Sequence, residues 1–187
     1  MADDALIVID QQKAKEHSKW GPRNNPDAER NIARLLATWR NRGRPIFHVR
    51  HVSTYPDSPF RPGQEGNEFS PLTAPLPGEA VIAKRVTSAF IGTDLEARLQ
   101  MLGKPPLVIC GWLLANSVEA TVRVGANLGF NIRLPADACW SCDKQDLTGK
   151  LWPAEDVHQL TLALLHGEYA AVTTVEEILR SAGGGNS

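Results

Sequence analysis

Polar residues with complementary chemistry follow short apolar segments of this sequence. Asp10 comes directly after Ala-Leu-Ile-Val-Ile, and Lys84 comes directly after Ala-Val-Ile-Ala. An ionised carboxylate in apolar surroundings is costly unless a cation or hydrogen-bond donors compensate its charge, and Lys84 could be that cation. Taken singly, Asp10 also fits a loop-capping role and Lys84 a solvated strand end. Together, the two residues indicate a functional pair.

A third polar residue, Ser117, lies between an apolar strand candidate and a helix candidate. The intervening segment reads Gly-Trp-Leu-Leu-Ala-Asn from Gly111 onward. Free backbone N–H groups and the positive end of a helix can stabilise a developing oxyanion at such a junction. A nucleophile at position 117 would be well placed there, although Asn116 or Ser117 equally fits a simple helix cap.

Short runs of valine, isoleucine and leucine recur along the chain, separated by longer segments with helical periodicity. This alternation is typical of a buried parallel sheet flanked by helices. We therefore predict an α/β chain with a three-layer doubly wound fold and a largely parallel, six-stranded sheet. The predicted strands are 5–9, 45–49, 80–83, 106–110, 131–134 and 170–173. Ligands of such sheets bind outside the carboxyl ends of the strands, where Asp10, Lys84 and Ser117 are expected.

The helices that position these strands follow from apolar spacing and from glycine stop signals. The predicted helices are 26–42, 94–102, 116–128 and 154–166. Residues 51–78 contain six prolines and show no period, so we predict a long loop that acts as a lid, a binding loop or a subunit contact. Residues 182–187 are predicted to form a flexible tail, and the whole chain, 1–187, a single domain.

The composition argues against two classes of partner. A net charge of −1, from 20 basic and 21 acidic residues, gives no broad attraction for nucleic acid or for an anionic membrane. No apolar run is long enough to span a bilayer, and no signal peptide is evident. Three cysteines, including the pair Cys139 and Cys142 in a C-x-x-C, fit a reducing compartment better than a disulfide framework. We expect a cytoplasmic protein without structural zinc.

The sequence resembles the isochorismatase-like (cysteine hydrolase) family along nearly its whole length, most specifically in the motifs that contain Asp10, Lys84 and Ser117. The family's V-I-D-x-Q pattern ends its first strand at Asp10, and its K-x-x-x-S-A-F pattern begins at Lys84. Its G-V-x-T-x-x-C-V pattern corresponds to Gly-Trp-Leu-Leu-Ala-Asn-Ser-Val, which places Ser117 at the position of the family's cysteine.

The resemblance implies a hydrolase for a small non-peptide amide or ureide, with an aspartate–lysine–cysteine triad at Asp10, Lys84 and position 117. It also implies an oxyanion hole from the backbone N–H groups of Leu113 and Ser117. A cis peptide bond between Trp112 and Leu113 is expected on the same basis. The family further implies a small-molecule substrate, no cofactor and a homo-oligomer, either a dimer or a tetramer.

Ser117 departs from the family pattern at the decisive position, because an alcohol is a much weaker nucleophile than a thiol at neutral pH. Three explanations are open: a Cys-to-Ser change made to trap a ligand, a natural serine with weakened chemistry, or a relative that needs no thiol. We favour the first, because the surrounding motif is intact. The alternatives in function are an isochorismatase-type vinyl ether hydrolase and a non-catalytic ligand-binding pseudoenzyme.

Several other residues are candidates for the substrate pocket. Gln12, Phe90 and Trp112 lie beside the triad motifs and are predicted to line it, with Trp112 favouring a small or flat substrate. Trp20, Tyr55 and Phe60 could also line a pocket, but core or interface packing is the commoner role of aromatic residues and is the one predicted. Arg61 and Arg85 could bind a substrate carboxylate, but solvated surface arginines are commoner, so both are predicted to lie on the surface. His48 and His51 lie three residues apart on a strand, which directs their side chains to opposite faces, so we predict no metal site.

Overall fold

The computed structural model describes residues 3–183. Its main sheet has six strands in the order β3-β2-β1-β4-β5-β8, and every neighbouring pair is parallel. These strands are β1 Ala5–Ile9, β2 Ile46–His51, β3 Ala80–Lys84, β4 Leu107–Gly111, β5 Ile132–Pro135 and β8 Ala171–Thr173. A separate antiparallel hairpin pairs β6 Lys144–Gln145 with β7 Leu151–Trp152. The predicted six-stranded parallel sheet is confirmed, with strand bounds shifted by one or two residues.

Helices cover both faces of this sheet. They are α1 Ala28–Asn41, α2 Leu95–Met101, α3 Glu119–Asn127, α4 Ala154–Leu165 and α5 Val175–Gly183. Helix α1 packs on α5, and α3 packs on α4. The strands that follow β1 are added on one side of it, beginning with β2, and those that follow β4 are added on the opposite side, beginning with β5. Right-handed crossovers therefore place the helices of the two halves on opposite faces of the sheet. The predicted α/β architecture is therefore present, and the strand order reverses between β1 and β4.

The local sequence explains why the central elements form where they do. All five residues of β1 are aliphatic and fully buried, as expected for a strand covered on both faces. In α1, the apolar residues Ile32, Leu35, Leu36 and Trp39 fall at helical spacing and are completely buried. No helix within residues 3–183 is long and apolar enough to cross a membrane.

Two elements were absent from the sequence prediction. Helix α5 begins at a capping box, in which the Thr174 hydroxyl accepts from Glu177 N at 3.2 Å and the Glu177 carboxylate accepts from Thr174 N at 3.0 Å. That T-x-x-E pattern was a readable signal. The β6–β7 hairpin has two residues per strand, too few for a period-2 pattern to appear.

The predicted long loop, 51–78, begins one residue later than expected because His51 still belongs to β2. It contains two short 3₁₀ turns, Glu65–Asn67 and Pro71–Thr73. The predicted tail, 182–187, is wrong at its start, because the α5 backbone continues to Gly183. Its remainder lies outside the described residues.

Candidate active site

The carboxyl edge of the sheet brings the three predicted site residues together. Asp10 follows β1, Lys84 is the last residue of β3, and Ser117 lies in the turn that joins β4 to α3. Strand β2 separates β1 from β3 and pairs His51 with Lys84, so the long lysine side chain crosses the end of β2 to reach Asp10. Convergence at this edge is what the parallel topology requires.

The Lys84 ammonium is the centre of the cluster. Its Nζ lies 2.8 Å from Asp10 Oδ2 and 3.1 Å from Ser117 Oγ. Lys84 is 1% exposed, Asp10 3% and Ser117 8%, so both charges are withdrawn from water and depend on each other. The second carboxylate oxygen, Asp10 Oδ1, is buried and has no hydrogen-bond partner among the described residues. It is therefore free to accept a proton from a bound molecule or from the residue 117 side chain.

The backbone beneath the ion pair is tightly constrained. Asp10 has a φ of 49°, a left-handed conformation that aspartate tolerates better than most residues. Gly111, at the end of β4, has a φ of 127°, and a Cβ there would lie 2.2 Å from Ile9 O. Only glycine lets β4 approach β1 this closely, and the approach lets Trp112 N donate to Ile9 O at 3.1 Å.

The segment after β4 brings the backbone of Leu113 and Ser117 to the site. The Trp112–Leu113 peptide bond is cis, as predicted, and residues Leu114–Val118 form a single π-type turn before α3. Within residues 3–183, Leu113 N donates to no hydrogen-bond acceptor. Leu113 and Ser117 both line a cavity close to the start of α3, where the positive end of the helix favours negative charge.

Thr121 connects two of the sequence motifs. Its hydroxyl donates to Ser117 O at 2.7 Å and accepts from Ala89 N at 3.0 Å. The segment after Lys84 is thereby attached to the first turn of α3. This connection fixes the position of Ser117 relative to the lysine.

A cavity of about 170 Å³ opens above the ion pair. Four aromatic side chains contribute to its wall, and apart from Leu113 the remaining lining residues are polar or belong to the triad. The aromatic residues are Trp20, Tyr55, Phe60 and Trp112, and the others are Asp10, His51, Ser53, Ser58, Lys84, Thr87, Leu113, Asn116 and Ser117. Such a volume suits a small molecule rather than a polymer.

His51 is a lining residue that sequence reasoning missed. Burial lowers the pKa of its imidazole, and the nearby Lys84 ammonium lowers it further, while Asp10 acts in the opposite direction. The ring therefore stays uncharged at neutral pH. It packs edge-on against Phe60, with ring centroids 5.4 Å apart.

The structure places two predicted pocket residues outside the cavity. Gln12 is fully buried, and its amide donates to His51 O and Asn67 O, both at 3.0 Å. Phe90 stacks on Phe130 at 5.6 Å and contacts α3 at Gly125. Gln12 therefore holds the long loop, and Phe90 packs behind α3. Trp112 does line the cavity, as predicted.

Trp20, Tyr55 and Phe60 were assigned to packing, yet they line the cavity as well. They come from segments without helical or strand periodicity, so no sequence pattern indicated that their side chains face the cavity. Arg61 and Arg85 are exposed and are not among the lining residues, as expected for solvated arginines.

The histidines do not assemble a metal site. His48 is fully buried and its Nε2 lies 2.8 Å from Glu79 Oε2, whereas His51 faces the cavity. Across residues 3–183, no group of three or more histidine, cysteine, aspartate or glutamate side chains is arranged to hold a metal ion.

Comparisons of the sequence and of the structure with known proteins point to the same family. The isochorismatase domain model matches residues 4–177. The isochorismatase family protein YrdC of Bacillus subtilis is 37% identical over 175 residues, which cover 94% of each chain. A crystal structure of an isochorismatase-family protein from Chromobacterium violaceum is 48% identical, covers 98% of this chain and 95% of its own, and superposes with a TM-score of 0.95.

A more distant structure shares the same fold. The cysteine hydrolase from Pseudomonas syringae superposes with a TM-score of 0.88 over 96% of this chain and 92% of its own. It is 22% identical, so this likeness concerns the fold alone.

Proposed function

The chain belongs to the isochorismatase family of hydrolases, and we propose that its site cleaves a carbon–nitrogen bond in a small non-peptide amide or ureide. The observation that carries the proposal is the position of Lys84 Nζ, in contact with both Asp10 and the residue 117 side chain. A carboxylate, an ammonium and a potential nucleophile share one buried edge of the cavity. This is the set of groups that acyl transfer to a protein nucleophile requires.

In the proposed reaction, Asp10 takes the proton of the nucleophile at position 117, which bonds to the substrate carbonyl carbon. The N–H groups of Leu113 and Ser117 stabilise the resulting oxyanion, since both residues line the cavity and Leu113 N has no other acceptor within the described chain. Asp10 then returns the proton to the leaving nitrogen as the carbon–nitrogen bond breaks. Water next gives a proton to Asp10 and attacks the acyl group, which breaks the bond to residue 117 and releases the acid. Asp10 returns that proton to the residue 117 side chain, so both groups regain their starting states.

Ser117 limits this chemistry. A thiol has a pKa of about 8.5 and ionises readily beside a cation, whereas a hydroxyl needs a stronger base relay than one carboxylate that is already paired with Lys84. We therefore propose that the serine weakens or stops acyl transfer while leaving the pocket intact.

The test is to replace Ser117→Cys and to measure hydrolysis across a panel of small amides and ureides. The expected result is an increase in kcat/KM of at least about 100-fold over the serine form for one compound or more. Ser117→Ala is the matched control and should show no turnover. Covalent labelling with iodoacetamide, followed by mass spectrometry, should place the new adduct at position 117.

The three native cysteines should contribute little background to this labelling experiment. Burial raises the pKa of the Cys139 thiol to about 12 and raises the pKa values of Cys110 and Cys142 as well. All three cysteines are free and buried, and they should react slowly. If the Ser117→Cys form is no more active than Ser117→Ala on every compound, amidase chemistry is excluded. The pseudoenzyme and vinyl ether alternatives would then replace it.

A further inference from the structure

The charges around the cavity cancel. Asp10 and Lys84 are the only formally charged side chains in the lining that the described chain provides, and they neutralise each other at 2.8 Å. The other polar groups are neutral hydroxyls and amides, such as Ser53, Thr87 and Asn116. A substrate that carries its own carboxylate would have to leave water without gaining a free cation. It would also approach the Asp10 carboxylate.

The imidazole in the cavity lining adds no charge either. His51 lines the cavity and keeps a neutral imidazole, because burial and Lys84 both oppose its protonation. A neutral ring offers one donor and one acceptor, which suits the N–H and C=O groups of an amide or a ureide.

The cations outside the cavity are engaged elsewhere. Arg61 Nη1 donates to Pro56 O at 3.0 Å, and Lys19 Nζ lies 4.4 Å from the centre of the Trp20 ring. Neither residue contributes to the lining, and Arg85 does not contribute to it either. No cation outside the ion pair therefore faces a ligand in the part of the chain that the structure describes.

The apolar part of the wall is a continuous group of aromatic rings. Trp112 meets Trp20 edge to face at 4.8 Å and lies nearly parallel to Phe60 at 6.0 Å. Trp112 and Phe60 are 3% and 5% exposed, so neighbouring side chains fix both rings. Flat aromatic surfaces favour a planar ligand, which can contact them over its whole face.

We propose that this cavity selects uncharged, planar amides or ureides and rejects carboxylate-bearing analogues of the same shape. The inference rests on the proposed function for the kind of bond, and it adds the charge and the shape of the substrate. Selectivity comes from the balanced ion pair and the aromatic wall, both of which are present in the serine form.

Binding to the unaltered Ser117 protein tests the proposal without turnover. Isothermal titration calorimetry should compare 4-nitrobenzamide with 4-carbamoylbenzoate, because the nitro and carboxylate groups have the same shape and differ in charge. The uncharged compound should bind at least tenfold more tightly. Benzamide should also bind more tightly than cyclohexanecarboxamide, which is similar in size but not flat. Equal or tighter binding of the carboxylate compound, or no binding of the planar amides, would overturn the proposal.

A matched pair of variants tests the cause of the selectivity. Thr87 lines the cavity, whereas its neighbour Val86 is exposed and does not. Thr87→Lys should tighten 4-carbamoylbenzoate binding at least tenfold, and Val86→Lys should leave it unchanged. A folded Thr87→Lys protein without this gain would contradict the charge argument. If benzamide binds selectively but the Ser117→Cys form does not hydrolyse it or any panel compound, the proposed function fails and the selectivity stands.

Discussion

Lys84 and Asp10 depend on each other, because each would otherwise be a buried, unpaired charge. Asp10→Asn removes the negative partner and leaves the ammonium buried, which should lower the free energy of unfolding by about 3–5 kcal/mol. Urea denaturation of both proteins measures this loss. In the Ser117→Cys background, the same change should abolish turnover, because the proposed proton acceptor is gone.

The double variant Asp10→Asn/Lys84→Met separates stability from chemistry. It removes both charges, so most of the lost stability should return while activity stays absent. If Asp10→Asn alone costs nothing, the ion pair is not the principal charge compensation at this site. If activity returns with stability in the double variant, Asp10 has no role in proton transfer.

Among the elements, the contact between β1 and β4 depends on a missing side chain. Gly111→Ala would place a Cβ 2.2 Å from Ile9 O and would force the two central strands apart. We expect a loss of at least about 3 kcal/mol in the free energy of unfolding. Gly103→Ala is the matched control, since Gly103 also has a positive φ, 78°, but has open space around it. It should cost about 1 kcal/mol. Equal costs for both variants would show that the close approach is unimportant.

The Gln12 side chain attaches the start of the long loop to the end of β1. Besides its two donated hydrogen bonds, the Gln12 side-chain oxygen accepts from His51 N at 2.7 Å. Gln12→Glu removes both donors, so amide hydrogen exchange across residues 52–78 should become faster. Because Tyr55 and Phe60 line the cavity from this loop, planar amides should bind more weakly as well.

Gln100→Glu provides the control for this loop experiment, since Gln100 is exposed on α2 and the substitution is chemically identical. It should leave loop exchange unchanged. Unchanged exchange in the Gln12→Glu protein would mean that other contacts hold the loop. One such contact is the Asn67 amide, which donates to Phe60 O at 2.7 Å.

Buried histidines make the stability of the entire domain depend on pH. Burial lowers the pKa values of His48, His51 and His158, and for His48 this effect outweighs the opposing influence of Glu79. The unfolded chain then binds more protons than the folded chain just below pH 6.5, so the free energy of unfolding should decrease as the pH falls through that range. The pKa of Glu79 is lowered to about 2 by Arg40 and other donors, which predicts a second loss as the pH falls from 4.5 toward 2.

Urea midpoints at pH 7.5 and 5.5 measure the first effect, and the lower pH should give the lower midpoint with an unchanged m-value. The imidazole resonances of the three histidines, followed by NMR, should titrate below 6.5. A higher midpoint at pH 5.5 would contradict the assignment of neutral buried rings.

The sequence alone was sufficient for the sheet and for the convergence of Asp10, Lys84 and Ser117. Apolar runs that alternate with helical periodicity allow few arrangements, and parallel strands must end at a common edge. Residues at the ends of such strands, or shortly after them, therefore lie along one edge of the sheet. The cis bond at Trp112–Leu113 was expected from the family resemblance.

The cavity wall was beyond sequence reasoning. Gln12 is two residues from Asp10 yet bonds to the long loop, and Phe90 is six residues from Lys84 yet packs behind α3. Trp20, Tyr55 and Phe60 reach the site from segments without a period. The direction of a side chain outside regular elements is set by long-range hydrogen bonds and packing, which no local pattern encodes. The tertiary structure therefore determines which ligands fit the cavity. The reactive groups at the base of the cavity lie at or near strand ends, and local sequence patterns are sufficient to locate those ends.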